Sequence, residues 1–308
     1  MHRATRTLPF ALIAAALAAC SSGSTGPGAG FECLGQPLPT TAPATISVSG
    51  RITQNFTSPT ALRGAYIFAF RTGDTTTLAA DTSDTSGAYS VSFTTGGVPV
   101  NGYIRVTDST HLTTYAYPAV PLAASDTTNV FMATASEFSF LAAAAGITPV
   151  AGDGFIGVIV KDCAGTPIAG ATVSSSPAGQ VRYNAGGVPS STATSTGTDG
   201  VAYIANVTAG NDTVQATGGG HTLRQHVVNA RANAITLTEI QPGVFEASLA
   251  ANLAGIYRSR ILAEGGTYPG APFTREQLLT AAVFHEIVRP LGQPPSVTGK
   301  EEWRSGPP

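Results

Sequence analysis

The chain is short of the residues from which metal centres, redox sites and nucleic-acid surfaces are built. Its 308 residues include three cysteines, two methionines, one tryptophan and five histidines. Only two are lysine, Lys161 and Lys300, and charged residues of all kinds make up 11%. With 16 Lys+Arg against 18 Asp+Glu, it lacks the basic field that holds phosphate backbones or anionic lipid surfaces, so no nucleic-acid partner is expected. It contains no Gly-x-Ser-x-Gly elbow, no Ser-x-x-Lys pair and no phosphate-cradling glycine loop. The nearest approach to a zinc-protease helix is His285-Glu286-Ile287-Val288-Arg289, where arginine stands in place of the second histidine. His221 and His226 are five apart, a spacing that on a strand separates their faces. Asp81, Asp84 and Ser86 gather the oxygens a hard cation prefers but lack the spacing of a twelve-residue calcium loop, so the segment reads as a hairpin. The expectation is no catalytic residue, no cofactor and no metal site.

Also missing is any apolar run of the roughly twenty residues a bilayer-spanning helix needs. The longest in the N-terminal region, Leu8 to Ala19, follows Arg3 and Arg6, the layout of an export signal. Its end, Leu17-Ala18-Ala19-Cys20, resembles the lipobox of bacterial lipoproteins. That resemblance implies removal of residues 1–19 and lipidation of Cys20, leaving a protein held on a membrane through its N-terminal lipid. Each buried methylene of such a lipid contributes about 0.8 kcal/mol, so several acyl chains anchor a soluble body almost permanently. Ser21, rather than aspartate, follows the cysteine, which in the enterobacterial sorting pattern points to the outer membrane. Without Arg3 and Arg6, residues 20–308 carry 14 basic against 18 acidic side chains.

What is abundant is Thr, Ser, Ala, Gly and Val, with turn residues at short intervals, a composition of many short strands. Ser21 to Gly30 is a Gly/Ser tether, and Pro37 to Pro43 remains extended because proline restrains its own φ and the preceding residue. Residues 20–44 therefore form a linker. A comparison of the chain with itself finds two copies at an offset of about 110 residues. Ile46–Ile52 and Leu62–Phe70 correspond to Gly157–Asp162 and Pro167–Val173. The turn and strand Asp81–Val91 correspond to Thr196–Ile204. Gly102–Val106 corresponds to Asp212–Ala216.

In the second copy the hairpin Gly165-Thr166-Pro167, the step Gly170-Ala171, the turn Asp199-Gly200 and the turn Val207–Gly210 fall in an order that resembles the carboxypeptidase regulatory-like, or transthyretin-like, domain. The likeness covers about Asp153 to Thr238, and more loosely Thr45 to Thr134, where the prolyl hairpin is absent. It implies sandwiches of seven or eight strands that act as non-catalytic modules, and it names no ligand.

The expected fold is thus all-β, with tandem immunoglobulin/transthyretin-like sandwiches over 45–150 and 151–240 and one short helix between them. The helix is read from Ser136 to Ala145, with Thr134 or Ser136 as cap and Gly146 as stop, covering an open end of the first sandwich. Residues 241–289 read as a β-rich extension and 290–308 as a disordered tail. Three cysteines less the lipidated one leave Cys33 and Cys163 as a disulfide pair in an exported protein. The functional expectation is a non-enzymatic envelope lipoprotein with a structural or recognition role, its partner an envelope protein or, in the second reading, a glycan. For the glycan, Tyr103, Tyr115, Tyr117 and Tyr183 are the candidate aromatic platforms.

Overall fold

A computed structural model describes residues 28–243. The export signal, Cys20, His285, Glu286 and everything after Gly243 lie outside the described residues. Strands with period-two burial dominate. The first sandwich contains β1 (Thr45–Gln54), β2 (Thr60–Ala61), β3 (Tyr66–Arg71), β4 (Thr77–Thr82), β5 (Ala88–Thr94), β6 (Gly102–Thr107), β7 (Thr114–Tyr117), β8 (Asp126–Thr127) and β9 (Val130–Phe131). In β5, Tyr89, Val91 and Phe93 point inward while Ser90, Ser92 and Thr94 face out, so register is fixed by which face is apolar. One sheet centres on β1, flanked by β5 antiparallel and by β8 and β9 parallel. It packs on β4-β3-β6-β7 around Ile46, Ile52, Ile67, Val91, Val106 and Met132.

After the helix α1 (Ala135–Ala144), the second sandwich contains β10 (Asp153–Val160), β11 (Thr172–Ser176), β12 (Gln180–Ala185), β13 (Val188–Ser190), β14 (Val201–Thr208), β15 (Gly210–Gly218), β16 (His221–Thr222), β17 (His226–Ala230) and β18 (Ile235–Ile240). Its topology repeats the first. Strand β10 lies between antiparallel β14 and parallel β18, as β1 lies between β5 and β9. The set β11-β15-β17 matches β3-β6-β7. The repeat in the sequence is a repeat in the chain's path.

The two sandwiches share one sheet. Strand β7 at the edge of the first pairs in parallel with β18 at the edge of the second, from Thr114↔Ile235 to Tyr117↔Thr238. The result is a nine-stranded sheet ordered β13-β12-β14-β10-β18-β7-β6-β3-β4. Because side chains alternate across a strand, the wall has two apolar faces serving two cores. Leu237 shares a face with Ala116 and packs on the first core. Thr236 and Thr238 share the opposite face with Tyr115 and Tyr117, and Tyr117 belongs to the second core with Ile156, Val158 and Ile240. The sandwiches thus sit on opposite faces of one wall, offset along it, and the fusion removes two edges that would otherwise be open for pairing.

Helix α1 is capped on both ends. Thr134 Oγ1 accepts from the Glu137 amide at 3.2 Å while Glu137 Oε2 accepts from the Thr134 amide at 2.9 Å, a reciprocal box. At the other end Gly146 takes φ +64°, and the amides of Gly146 and Ile147 donate to Ala143 and Ala142 at 3.0 and 2.8 Å, closing a Schellman motif. A Cβ at Gly146 would also meet Ser191 Cβ at 2.9 Å. The helix meets the first sandwich through Glu137 Oε1, which accepts from the Phe56 amide at 3.3 Å, and reaches beyond it. It lies over the seam, with Phe138 edge-on to Phe155 of β10 at 5.1 Å and the Ala145 carbonyl accepting from Arg182 Nε of β12. Ala142, Ala145 and Ile147 pack there on Phe155 and Ala205 of β10 and β14.

Cys33 and Cys163 form a disulfide with Cα atoms 5.7 Å apart. It fastens the leader to the turn after β10, at the end of the second sandwich away from α1, and not to the region between the sandwiches. Around it the Cys163 amide donates to the Gly30 carbonyl at 2.8 Å and the Gly35 amide to the Gly243 carbonyl at 3.2 Å. Phe31 stacks on His221 at 4.7 Å and lies so close to Gly219 that a Cβ there would meet the ring at 2.2 Å.

Candidate functional site

The outward face of β3, β6 and β7 is the most distinctive surface of the molecule. Alternation that sends Ile67, Ala69, Ile104, Val106 and Ala116 into the first core sends Tyr66, Phe68, Phe70, Tyr103, Arg105 and Tyr115 to the other side. The second sandwich covers part of that side, Tyr103 and Tyr115 packing against its core, and Phe70 is buried. Phe70 and Tyr103 stack at 5.3 Å, and Tyr103 stacks on Tyr117 at 5.0 Å. The Arg105 guanidinium lies 4.8 Å from the Phe68 ring centre and 5.1 Å from that of Phe70. Arg231, from the turn after β17, lies 3.8 Å over Tyr115 and 5.1 Å from Tyr103. Two cations therefore bracket a row of rings, an arrangement in which each gains from the ring quadrupole. Toward the free end of the sheet Tyr66 is 56% exposed.

Of the four tyrosines picked out by the sequence, the structure brings Tyr103, Tyr115 and Tyr117 together and leaves Tyr183 elsewhere. Tyr117 is buried, its hydroxyl accepting from Arg231 Nη1 at 3.1 Å. Tyr183 is inside the second sandwich, its hydroxyl accepting from the Val173 amide at 3.0 Å. Both are core residues because their strand positions point at a sheet. Tyr66, Phe68, Phe70, Arg105 and Arg231 are absent from the sequence-based set. The signal was present: Tyr66-Ile67-Phe68-Ala69-Phe70 is apolar on both faces, which a strand with one solvent face does not require.

The remaining polar candidates are engaged in structure. Asp84 Oδ1 accepts from the Ser86 amide, the Ser86 hydroxyl and the Ala88 amide at 2.7 to 2.9 Å. Asp81 accepts from the amides of Thr82 and Ser90, so the acidic turn is held as a hairpin. Among the described residues no three His, Cys, Asp or Glu side chains gather as metal ligands. His221 and His226 fall on different strands, and His226 is buried with Nδ1 2.7 Å from Thr238 Oγ1. Burial, together with the charge of Arg224, pushes its pKa down to about 4. Asp108 pairs with His111 Nδ1 at 2.7 Å. Burial pushes the Asp108 carboxyl up, but hydrogen bonds from His111 and Thr110 outweigh it and hold the pKa at about 2. His111 Nε2 meets no partner among the described residues, and the Thr110 hydroxyl lies 3.0 Å from Nδ1, on the Asp108 side of the ring.

Asp212 is fully buried in β15, and neither carboxylate oxygen has a hydrogen-bond partner among the described residues. Burial raises its pKa to about 6; the Ser176 amide opposes the shift without reaching hydrogen-bond geometry. The folded state therefore binds this proton more tightly than the unfolded chain. Its contribution is fully present below pH 4 and is lost as pH rises through 6. At about 1.4 kcal/mol per pKa unit, the ionised group costs on the order of 3 kcal/mol at neutral pH. Asp212→Asn is expected to be the more stable protein at pH 8 by that margin and to match the parent near pH 4, as read by urea denaturation. His226 works in the opposite sense, with stability present above pH 6.5 and lost as pH falls through 4, so the variant should show a decline on acidification that the parent conceals. A parent more stable than Asp212→Asn at pH 8 would show that the carboxylate has a partner.

No family model matches the chain, and no curated protein matches it. Solved structures similar to it include the shaft pilin SpaA of Lactobacillus rhamnosus GG, at 10% identity and a TM-score of 0.21, covering 65% of this chain and 98% of the pilin. A minor pilin of Streptococcus agalactiae matches at 11% and 0.21 over 64% of this chain and 96% of its own. A cohesin–X-dockerin complex of Acetivibrio cellulolyticus matches at 16% and 0.22 over 29% of this chain and 58% of that one. Scores this low transfer neither topology nor activity, and the β-sandwich assignment rests on the strand order described above.

Proposed function

We propose that the chain is a non-enzymatic lipoprotein of the bacterial envelope, lipidated at Cys20, placed at the outer membrane, and serving a structural or recognition role through its paired sandwiches. The observation that carries this reading is the mechanical unity of the described part. Two cores share one wall, and the leader, through Cys33, thirteen residues after Cys20, is bonded to the turn after β10, a strand of that wall. A tether ending on a rigid body suits display or load transmission better than turnover, which draws on mobile loops around a cleft. The order of turns in the second sandwich supports a carboxypeptidase regulatory-like module there. A second reading, a glycan-binding accessory module, is favoured by the ring-and-guanidinium face of β3, β6 and β7. In both, the purified protein is expected to show no hydrolase or protease turnover on a broad substrate panel, with or without added zinc. Turnover abolished by His285→Ala or Glu286→Gln would overturn the non-enzymatic assignment.

A further inference from the structure

We infer that the outward face of β3, β6 and β7 is a binding site for an acidic polysaccharide, one whose sugar rings carry carboxylates. This deepens the glycan-binding reading and rests on it. The first observation is Arg105. A guanidinium has five N–H donors, yet this half-buried side chain has no hydrogen-bond acceptor among the described residues, and its Nε is shut off from solvent. A buried donor without a partner is costly, and among the described residues the group rests on the rings of Phe68 and Phe70. Arg231 uses Nη1 on the Tyr117 hydroxyl and the Asn229 carbonyl, leaving its other nitrogens without a described protein acceptor. Neither arginine forms an ion pair among the described residues.

The second observation is the charge of the surroundings. No acidic side chain stands on this face of β3, β4, β6 or β7. Asp81 of β4, opposite Ile67, turns to the other side and accepts from Ser90. A face with two cations and no anion, on a chain with a net charge of −2, is complementary to an anion. Guanidinium forks favour carboxylates held in plane.

The third observation separates a polysaccharide from other anions. Beside Arg105 the same face of β3 carries Phe68, under the guanidinium, and the exposed Tyr66, while Phe70, 6% exposed, and Tyr103, packed against the second core, lie inward of them. A polymer of uronate units repeats the complementary pair, a carboxylate and an apolar ring face. An acidic peptide finds its backbone partners on a sheet edge, not on a face. Nucleic acid needs a phosphate neutralised at every step, beyond what two arginines on an acidic chain supply.

The test is calorimetric titration of the full-length protein in detergent with a galacturonate hexasaccharide, a neutral xylose hexasaccharide and a glutamate hexapeptide. The galacturonate is expected to bind and to weaken at higher salt, the xylose oligomer to bind at least tenfold less tightly, and the glutamate peptide not to bind measurably. Arg105→Gln should weaken galacturonate binding tenfold or more. Because that change also removes packing on Phe68 and Phe70, Tyr66→Ala serves as the second variant, at a side chain 56% exposed, and should lower affinity without lowering the melting temperature. No galacturonate binding, or binding indifferent to both variants, would overturn the inference. Equal binding of the glutamate peptide through the same face would overturn the carbohydrate assignment while leaving a recognition role for the protein.

Discussion

Thr236→Pro is expected to unfold both sandwiches together. Strand β18 is hydrogen-bonded on one side to β10 and on the other to β7, and Thr236 is completely buried, its hydroxyl donating to the Asn229 carbonyl at 3.2 Å. Proline has no amide hydrogen, so one ladder bond is lost and its acceptor is left buried without a donor. With the added ring clash the cost should be roughly 3 kcal/mol or more. A destabilisation of that size placed in a tandem of independent domains would appear in one of them. Here it falls on a wall common to both cores, so hydrogen exchange should rise in peptides covering Val91 of β5 and Ile204 of β14 to a similar extent. Protection retained around Val91 while lost around Ile204 would show that the β7–β18 junction does not couple the two halves.

Opening the Cys33–Cys163 bond is the other change expected to act strongly. The bond closes a separation of 130 residues, and the chain-entropy model assigns a loop of that size about 4–5 kcal/mol, with native disulfides of exported domains typically costing 2–5 kcal/mol when removed. At about 2–4 °C per kcal/mol for a body of this size, the Cys33→Ser, Cys163→Ser double variant should melt on the order of 10 °C lower than the parent. The contacts the bond organises should loosen with it, namely Phe31 on His221 and Gly30 on the Cys163 amide. Recovery of both cysteines as free, alkylatable thiols from protein matured in the envelope would contradict the pairing, as would a double variant with an unchanged melting curve.

The parts of this fold that were legible in the sequence are those with local or repeated signatures. Alternation in Ala88–Thr94 marks β5 because a two-faced strand must segregate its side chains, and the offset of about 110 residues aligns β5 with β14 and β6 with β15 because both copies follow the same path. Thr134 or Ser136 as cap and Gly146 as stop announce the helix because its ends need such partners. The shared wall was not legible. Strands β7 and β18 pair across more than a hundred residues, and a parallel edge-to-edge contact leaves no turn between its partners to betray it. Two buried threonines, Thr236 and Thr238, further disguise β18 as a half-exposed strand. The same fusion explains why Tyr117 is buried in the second core with Tyr115 packed against it, and why α1 lies over the seam. Asp212 was hidden for another reason: in Gly210-Asn211-Asp212-Thr213 it reads as part of a polar turn, yet it occupies the place in its copy that buried Gly102 holds in the other.

The functional account depends most on the tether. Envelope fractionation with metabolic palmitate labelling, comparing the parent with Cys20→Ala, tests it most directly. The account predicts label and membrane partitioning in the parent, and in the variant no label, with the protein either released or accumulating unprocessed. A Cys20→Ala protein that is processed, carries no label and still partitions with membrane as the parent does would contradict it.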